Sequence, residues 1–121
     1  MDKLTAAEWS VLQVLWGREC FSLGEVVEAL RPITGWSRNT VHTYLTRMEG
    51  KALVLIDRTR EPHGYAAAVT REDCARQERS ALLNKVYGGA VGDLVTAFLK
   101  ESSMLPQERA RLRKLLDDME V

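Results

Sequence analysis

The sequence predicts a mainly α-helical chain with one small β-hairpin, made of a winged helix-turn-helix domain over residues 1–70 and a three-helix domain over residues 71–121. Two observations lead to this prediction. Apolar residues recur at helical spacing in six segments, and two short extended runs flank a polar turn after the third of them. The chain has 121 residues, of which 45% are hydrophobic and 28% charged, a composition typical of globular domains.

Capping signals mark the first two helices. Thr5-Ala6-Ala7-Glu8 has the pattern of a capping box and predicts a helix that Gly17 ends. Ser22-Leu23-Gly24-Glu25 has the same pattern and predicts a second, shorter helix, which we expect Pro32 to end.

A third helix is predicted after Ser37, which suits the N-cap position. Its core stripe is expected to consist of Val41, Leu45, Met48 and Ala52. The pattern then changes to an aliphatic run, Leu53–Ile56, a polar stretch and a second extended run, Tyr65–Val69, which together predict a hairpin. Three helices followed by a hairpin is the order of a winged helix, in which the third helix enters the major groove of DNA.

The outward face of the third helix has a composition suited to DNA. With Val41 pointing inward, the side chains turned outward offer donors and acceptors to base edges and carry no negative charge. Arginines on its flanks and on the hairpin suit phosphates. The predicted DNA-binding residues are Ser37, Arg38, Asn39, Thr40, His42, Thr43, Thr46, Arg47, Arg58 and Arg60.

The charge is unevenly distributed, although the whole chain is neutral with 17 basic and 17 acidic residues. Residues 8–28 contain one basic and four acidic side chains, a net charge of −3. Residues 36–60 contain five basic and two acidic side chains, a net charge of +3. The third helix, called the reading helix below because it is predicted to contact base edges, therefore forms a locally basic segment together with the hairpin, as DNA binding requires.

Three further helices are predicted in the C-terminal part. The fourth starts at Thr70–Asp73 and ends at Gly88-Gly89, the fifth ends at Ser102-Ser103, and the sixth begins at Pro106. Each has an apolar stripe, and too little chain is available to bury all three. We expect this surface to form a twofold dimer through Leu82, Leu83, Val86, Tyr87, Val91, Leu94, Val95, Phe98, Leu99, Leu112, Leu115, Leu116 and Met119.

Other classes of function are less well supported. A winged helix used as a protein–protein adaptor without DNA is the alternative, but it would suit an acidic or apolar third helix. No catalytic arrangement or phosphate-binding glycine loop predicts an enzyme or a cofactor, and Cys20 and Cys74 are expected to be buried, reduced thiols without a metal. No targeting or membrane-inserted segment is visible, so the expected location is the cytoplasm.

Several motifs are shared with a known family. They are Leu4-Thr5-Ala6-Ala7-Glu8-Trp9 with Val14-Leu15-Trp16, Trp36-Ser37-Arg38-Asn39-Thr40-Val41 with Thr43 and Leu45, then Arg47, Lys51, Tyr87-Gly88-Gly89 and Phe98-Leu99. Over nearly its full length the chain resembles the penicillinase-repressor (BlaI/MecI/CopY) family of winged-helix repressors.

The resemblance implies a homodimer that binds an inverted-repeat operator in double-stranded DNA and represses transcription. Family targets include β-lactamase, penicillin-binding-protein and copper-transport genes. In family members the positions of Asn39 through Thr43 and of Arg47 face DNA, and residues of the hairpin contact the backbone. A membrane sensor metallopeptidase that induces expression through proteolysis is a further implied partner.

Two departures from the family concern induction. β-Lactam-responsive members are cleaved at an Asn-Phe bond in the tail, whereas the matching pair here is Ala97-Phe98. Copper-responsive members carry a cysteine-rich metal hook near the C-terminus, whereas this sequence ends Asp117-Asp118-Met119-Glu120-Val121. The resemblance therefore does not extend to copper sensing, and the signal that releases the repressor stays open.

Overall fold

The computed structural model describes residues 3–119 and forms, in that range, six helices and one two-stranded sheet. The helices are α1 (Ala6–Leu15), α2 (Leu23–Thr34), α3 (Arg38–Gly50), α4 (Arg71–Tyr87), α5 (Val91–Glu101) and α6 (Pro106–Asp118), and the strands are β1 (Val54–Asp57) and β2 (Gly64–Ala67). The predicted fold class, mainly helical with one hairpin, is confirmed.

Both predicted capping boxes are present. The Thr5 hydroxyl accepts a hydrogen bond from the Glu8 amide at 3.1 Å, and the Thr5 amide donates to Glu8 Oε1 at 2.9 Å. Ser22 and Glu25 make the equivalent pair of bonds at the start of α2, at 3.2 and 2.8 Å. These reciprocal bonds satisfy amides that lack a partner inside the helix, which is why each helix starts where the sequence predicts.

The predicted end of α2 is wrong. Pro32 lies inside the helix, which continues to Thr34 and is capped by Gly35. Gly35 has φ +67°, a left-handed conformation that costs glycine little and ends the helix. Proline lacks an amide donor, so α2 forgoes one helical hydrogen bond at Pro32 and is not ended there.

The predicted inclusion of Ala52 in the core stripe is also wrong. α3 ends at Gly50, and Ala52 is exposed with φ +62°. The Leu53 amide donates to the Met48 carbonyl at 2.9 Å, which closes the end of α3 around this left-handed residue. The chain consequently turns away from the helix axis, and Leu53 takes the buried position instead.

The hairpin is antiparallel and pairs Val54 with Ala67 and Asp57 with Gly64. Its strands each lie within one or two residues of the predicted extended runs. The amide of Phe21 donates to the Tyr65 carbonyl at 2.9 Å, and the amide of Tyr65 donates to the Phe21 carbonyl at 2.7 Å. The segment between α1 and α2 therefore pairs with β2 and fixes the hairpin to the helices.

The first compact unit ends at Ser80, ten residues beyond the boundary expected from the sequence. Cys74 of α4 is buried in its core, and Glu78 accepts a hydrogen bond from Trp9 Nε1 at 3.3 Å. The start of α4 is thus packed with α1. The buried core consists of Leu4, Val11, Leu12, Leu15, Val26, Val27, Leu30, Val41, Leu45, Met48, Leu53, Val54, Tyr65 and Cys74.

The second unit starts at Ala81 and contains the end of α4 with α5 and α6. Gly88 and Gly89 both have positive φ, and the Gly89 amide donates to the Leu83 carbonyl at 3.1 Å, so the pair ends α4 as predicted. No side chain of α5 or α6 in the described part of the chain is buried.

Candidate nucleic-acid interface

The N-terminus of α3 is built on Ser37. The Thr40 amide donates to the Ser37 hydroxyl at 3.2 Å, as expected for an N-cap. The Ser37 hydroxyl in turn donates to the Thr40 hydroxyl oxygen at 3.1 Å. Both predicted site residues are therefore engaged in ordering the first turn, whose remaining free amides point out of the helix end.

The aliphatic stripe of α3 determines which face is free. Val41, Leu45 and Met48 are all 0% exposed. With this stripe inside, the predicted outward side chains Asn39, His42, Thr43 and Thr46 are all exposed. Of the residues predicted for the flanks, Arg38 and Arg47 are exposed and Thr40 is half-buried. The burial of three apolar residues at helical spacing thus presents one continuous polar face to solvent.

Thr43 is partly committed to its own helix. Its hydroxyl donates to the Asn39 carbonyl at 2.9 Å, the bond that a helical threonine makes to the residue four positions earlier. The hydroxyl oxygen retains acceptor capacity, and the methyl group remains free to pack against another apolar group, such as the methyl of thymine.

An aromatic stack supports the turn between α2 and α3. The rings of Trp36 and Tyr44 lie parallel, with centroids 4.5 Å apart and an interplanar angle of 6°. Both side chains are half-buried and pack against the core. Tyr44 was not singled out from the sequence, because its position on α3 falls between the buried stripe and the polar face.

Arg58 does not stand free on the hairpin. Its Nη1 and Nη2 donate to Oε2 and Oε1 of Glu49 at 2.6 and 2.9 Å, a two-bond pairing of guanidinium and carboxylate. The hydrogen bonds from Arg58 hold the pKa of Glu49 below its usual value, so the carboxylate is charged at neutral pH. Glu49 was not predicted from the sequence to belong to this site. Its place in the last turn of the reading helix, shortly before the predicted hairpin, could have indicated a pairing with a hairpin arginine.

Arg60 lies in the turn between β1 and β2, beside Cys20. Its Nη1 is 3.2 Å from the Cys20 sulfur. Gly64 allows this approach, because a Cβ there would lie 2.6 Å from the Cys20 sulfur and 3.1 Å from Arg60 Cδ. Cys20 is half-buried rather than buried as expected, whereas Cys74 is buried, and both are free thiols.

A cavity of about 450 Å³ brings these elements together. It lies between the start of α2, the first turns of α3 and the turn of the hairpin, and its walls include Arg38, His42 and His63. Two of the predicted site residues thus share one concave surface with the hairpin. Within residues 3–119, no group of three or more metal-ligating side chains lies together here or elsewhere.

An ion pair between the buried Glu8 and the exposed Lys51 supports the end of α3. Glu8 is 4% exposed, and its Oε2 accepts from Nζ of Lys51 at 2.8 Å. Burial by itself would raise the pKa of Glu8, but the hydrogen bonds from Lys51 and the Thr5 amide outweigh it, and the pKa lies below the usual value.

Within residues 36–60, the positive charge without an ion-pair partner lies on three arginines. Of the five basic residues between 36 and 60, Lys51 and Arg58 form ion pairs with Glu8 and Glu49. Over residues 3–119, no carboxylate lies within ion-pair distance of Arg38, Arg47 or Arg60. These three guanidinium groups can therefore attract an anion without first breaking an ion pair.

The second unit exposes the apolar residues predicted for a dimer interface. Eight of the thirteen are exposed, namely Leu82, Val86, Val91, Phe98, Leu99, Leu115, Leu116 and Met119. The other five, Leu83, Tyr87, Leu94, Val95 and Leu112, are half-buried. A surface of this composition is costly to leave in water.

The Ala97-Phe98 bond lies inside α5. Phe98 is 52% exposed, Ala97 is half-buried, and the Phe98 carbonyl accepts from the Ser102 amide at 3.0 Å. Cleavage at this bond would require the last turns of α5 to unwind, because the helical hydrogen bonds enclose the peptide group.

The sequence profile of the penicillinase repressor family matches residues 4–118. The chain belongs to the penicillinase repressor family. The family expected from the shared motifs is confirmed, and because its members are transcriptional repressors, so is the prediction that the chain is not an enzyme.

Individual relatives match over almost the same span. The penicillinase repressor of Staphylococcus aureus is 27% identical over 117 residues, which cover 97% of this chain and 93% of the relative. The methicillin resistance regulatory protein MecI of Mammaliicoccus sciuri is 25% identical over 115 residues, covering 95% of this chain and 94% of the relative.

Part of the chain has a solved structural counterpart. The solution structure of the DNA-binding domain of the repressor BlaI matches with a TM-score of 0.52 and 24% identity, covering 59% of this chain and 87% of that one. The likeness establishes a winged-helix fold.

Among the helices of residues 3–119, none combines the length and the hydropathy that crossing a membrane requires.

Proposed function

We propose that the chain is a homodimeric transcriptional repressor that binds an inverted-repeat operator in double-stranded DNA. The observation that carries the proposal is the face of α3, where Asn39, His42, Thr43 and Thr46 are exposed opposite a fully buried aliphatic stripe. Membership of a family of repressors supports the same function.

The chemistry of this face suits the major groove. Asn39 and His42 offer both donors and acceptors, and the Thr43 methyl suits contact with thymine. Arg38, Arg47 and Arg60 carry charges without a carboxylate partner in the described chain and are suited to phosphates on either side of the groove. The free amides at the start of α3, next to Ser37, add a further place for a phosphate.

A second copy of the chain is the proposed partner of the C-terminal unit. The exposed apolar side chains of α5 and α6 need a cover, and twofold association is the simplest closed arrangement. Two reading helices related by a twofold axis would enter successive major grooves about 34–36 Å apart. An inverted repeat is the DNA sequence with the same symmetry. A transcriptional repressor must have access to DNA, so the cytoplasm is the proposed location.

The proposed targets follow the names of the relatives, which concern penicillinase and methicillin resistance. We propose genes of β-lactam resistance as the regulated class. Release by a membrane sensor metallopeptidase that cuts the tail at Ala97-Phe98 is a further part of the proposal, and Ala97 stands where the β-lactam-responsive members have Asn.

Selection from a pool of random duplexes tests the proposal. The full chain should enrich sequences containing two inverted half-sites whose centres lie about 10 base pairs, or a multiple of one helical turn, apart. The Asn39→Ala variant should enrich a pool with relaxed preference at one position of each half-site. Failure of the wild-type chain to retain any duplex at low salt would favour a protein–protein adaptor instead.

A further inference from the structure

The pairing of Glu49 with Arg58 joins the two elements that are proposed to touch DNA. Glu49 lies in the last turn of α3, and Arg58 directly follows β1. Both carboxylate oxygens of Glu49 accept from Arg58, at 2.6 and 2.9 Å. A two-bond pairing of this kind fixes both the position and the orientation of the guanidinium plane.

The pair differs from the other arginines of this surface. Arg38, Arg47 and Arg60 have no carboxylate at ion-pair distance in the part of the chain that the structure describes. The Arg58 charge, in contrast, is balanced by a carboxylate on the reading helix itself. A neutral pair releases few counterions when DNA approaches, so Arg58 adds little to non-specific affinity while the pair lasts.

We propose that Glu49 is a positioning residue that holds Arg58 against α3 and withholds it from the phosphate backbone, thereby limiting the affinity for non-specific DNA. This inference rests on the proposed function. To contact a phosphate fully, Arg58 would have to exchange one anion for another and leave the Glu49 carboxylate unpaired beside a polyanion. The exchange offers little gain, and discrimination between DNA sequences is left to the face of α3.

Binding to a labelled duplex of mixed sequence, followed by fluorescence anisotropy at several salt concentrations, tests the inference. The variants are Glu49→Gln, Arg58→Gln and the double variant. Glu49→Gln should bind more tightly and steepen the salt dependence by about one phosphate contact. The ratio of its DNA affinity to that of the wild type should fall by roughly threefold between about 50 and about 200 mM salt.

The remaining two variants show whether the tighter binding of Glu49→Gln requires Arg58. Arg58→Gln alone should leave the slope of the salt dependence close to that of the wild type, because the withheld arginine contributes no phosphate contact. The double variant should lose the steeper slope that Glu49→Gln gains. If Glu49→Gln steepens the salt dependence equally with and without Arg58, simple removal of a negative charge is the cause and the inference is overturned.

Glu72→Gln is the matched control. Glu72 pairs with Arg79 on α4 at 2.7 Å, so this variant also removes one carboxylate and releases one arginine, away from α3 and the hairpin in sequence. It should leave the affinity and the slope unchanged. Thermal melts of all variants check that they fold.

Two other outcomes also decide the matter. Weaker binding by Glu49→Gln would mean that the carboxylate presents Arg58 to a phosphate instead of withholding it, which overturns the inference but leaves the repressor proposal intact. A wild-type chain that binds no duplex even at low salt, together with a Glu49→Gln variant that binds none, would overturn both.

Discussion

The ammonium group of Lys51 lies 2.8 Å from a carboxylate oxygen of Glu8, 43 residues earlier in the chain. Glu8 is almost completely buried at the start of α1, and Lys51 follows directly after α3. The second carboxylate oxygen accepts from the Thr5 amide, so one side chain caps α1 and holds the end of the reading helix. The position of α3 in the first unit thus depends partly on a buried charge.

The first prediction concerns acid stability. Glu8 has a pKa below its ordinary value of 4.5, so its stabilising contribution is present above that value and is lost as the pH falls through the lowered pKa. Glu8→Gln should lower the free energy of unfolding by about 1–3 kcal/mol at neutral pH. The difference from the wild type should shrink below pH 4.5.

Urea unfolding at a series of pH values measures this difference. Glu72→Gln, which breaks an exposed pair on α4, is the control and should change the stability little at neutral pH. If the difference in free energy of unfolding between the wild type and Glu8→Gln stays constant down to strongly acidic pH, the stabilisation does not come from the ionised Glu8 carboxylate.

The second prediction concerns base recognition by α3. Thr43→Ala and Asn39→Ala should each reduce the preference for the selected operator over random DNA by about 1–3 kcal/mol, because each removes a group suited to a base edge. Competition binding with both duplexes measures the preference. Ser10→Ala is the matched control, since the Ser10 hydroxyl makes the same type of bond to the Ala6 carbonyl on a helix outside the proposed interface. Equal losses on both duplexes would argue against base reading.

The third prediction concerns Gly64, at the turn end of the hairpin. Gly64→Ala should destabilise the protein by about 1–3 kcal/mol, because the added Cβ would lie 2.6 Å from the Cys20 sulfur. Cys20→Ala removes that sulfur, so it should restore much of the loss in the double variant. Gly50→Ala, where a Cβ meets nothing within 4 Å, serves as the control in chemical denaturation. An absence of any rescue by Cys20→Ala would place the conflict elsewhere.

The fourth prediction concerns the C-terminal unit. Phe98→Lys puts a charge on the exposed apolar face of α5 and should shift the protein from dimer to monomer at micromolar concentration, because the charge would be buried in the proposed interface. Affinity for a full inverted repeat should then fall toward that for a single half-site.

Sedimentation equilibrium measures this association. Thr96→Lys introduces the same charge two residues earlier on α5, at an exposed position outside the predicted interface, and should remain dimeric. A monomeric wild-type protein at these concentrations would remove the basis for the proposed dimer.

Much of the first unit could be predicted from sequence, because the signals involved are local. The capping boxes at Thr5 and Ser22 connect residues three positions apart, and the buried stripe of α3 repeats at helical spacing. Once Val41 is known to face inward, the geometry of a helix alone determines that Asn39 and Thr43 face outward. Family membership was also predictable, since its motifs are short and contiguous.

Only the tertiary structure decided how the charged residues around α3 and the hairpin are paired. The Glu49–Arg58 and Glu8–Lys51 pairs span 9 and 43 residues, and the approach of Arg60 to Cys20 spans 40. The left-handed turn at Ala52, after which Leu53 is buried, and the continuation of α2 through Pro32 were likewise not predicted from the sequence. Sequence periodicity specifies which face of an element is buried, whereas the partner of a long charged side chain depends on distances between elements that only the packed fold establishes.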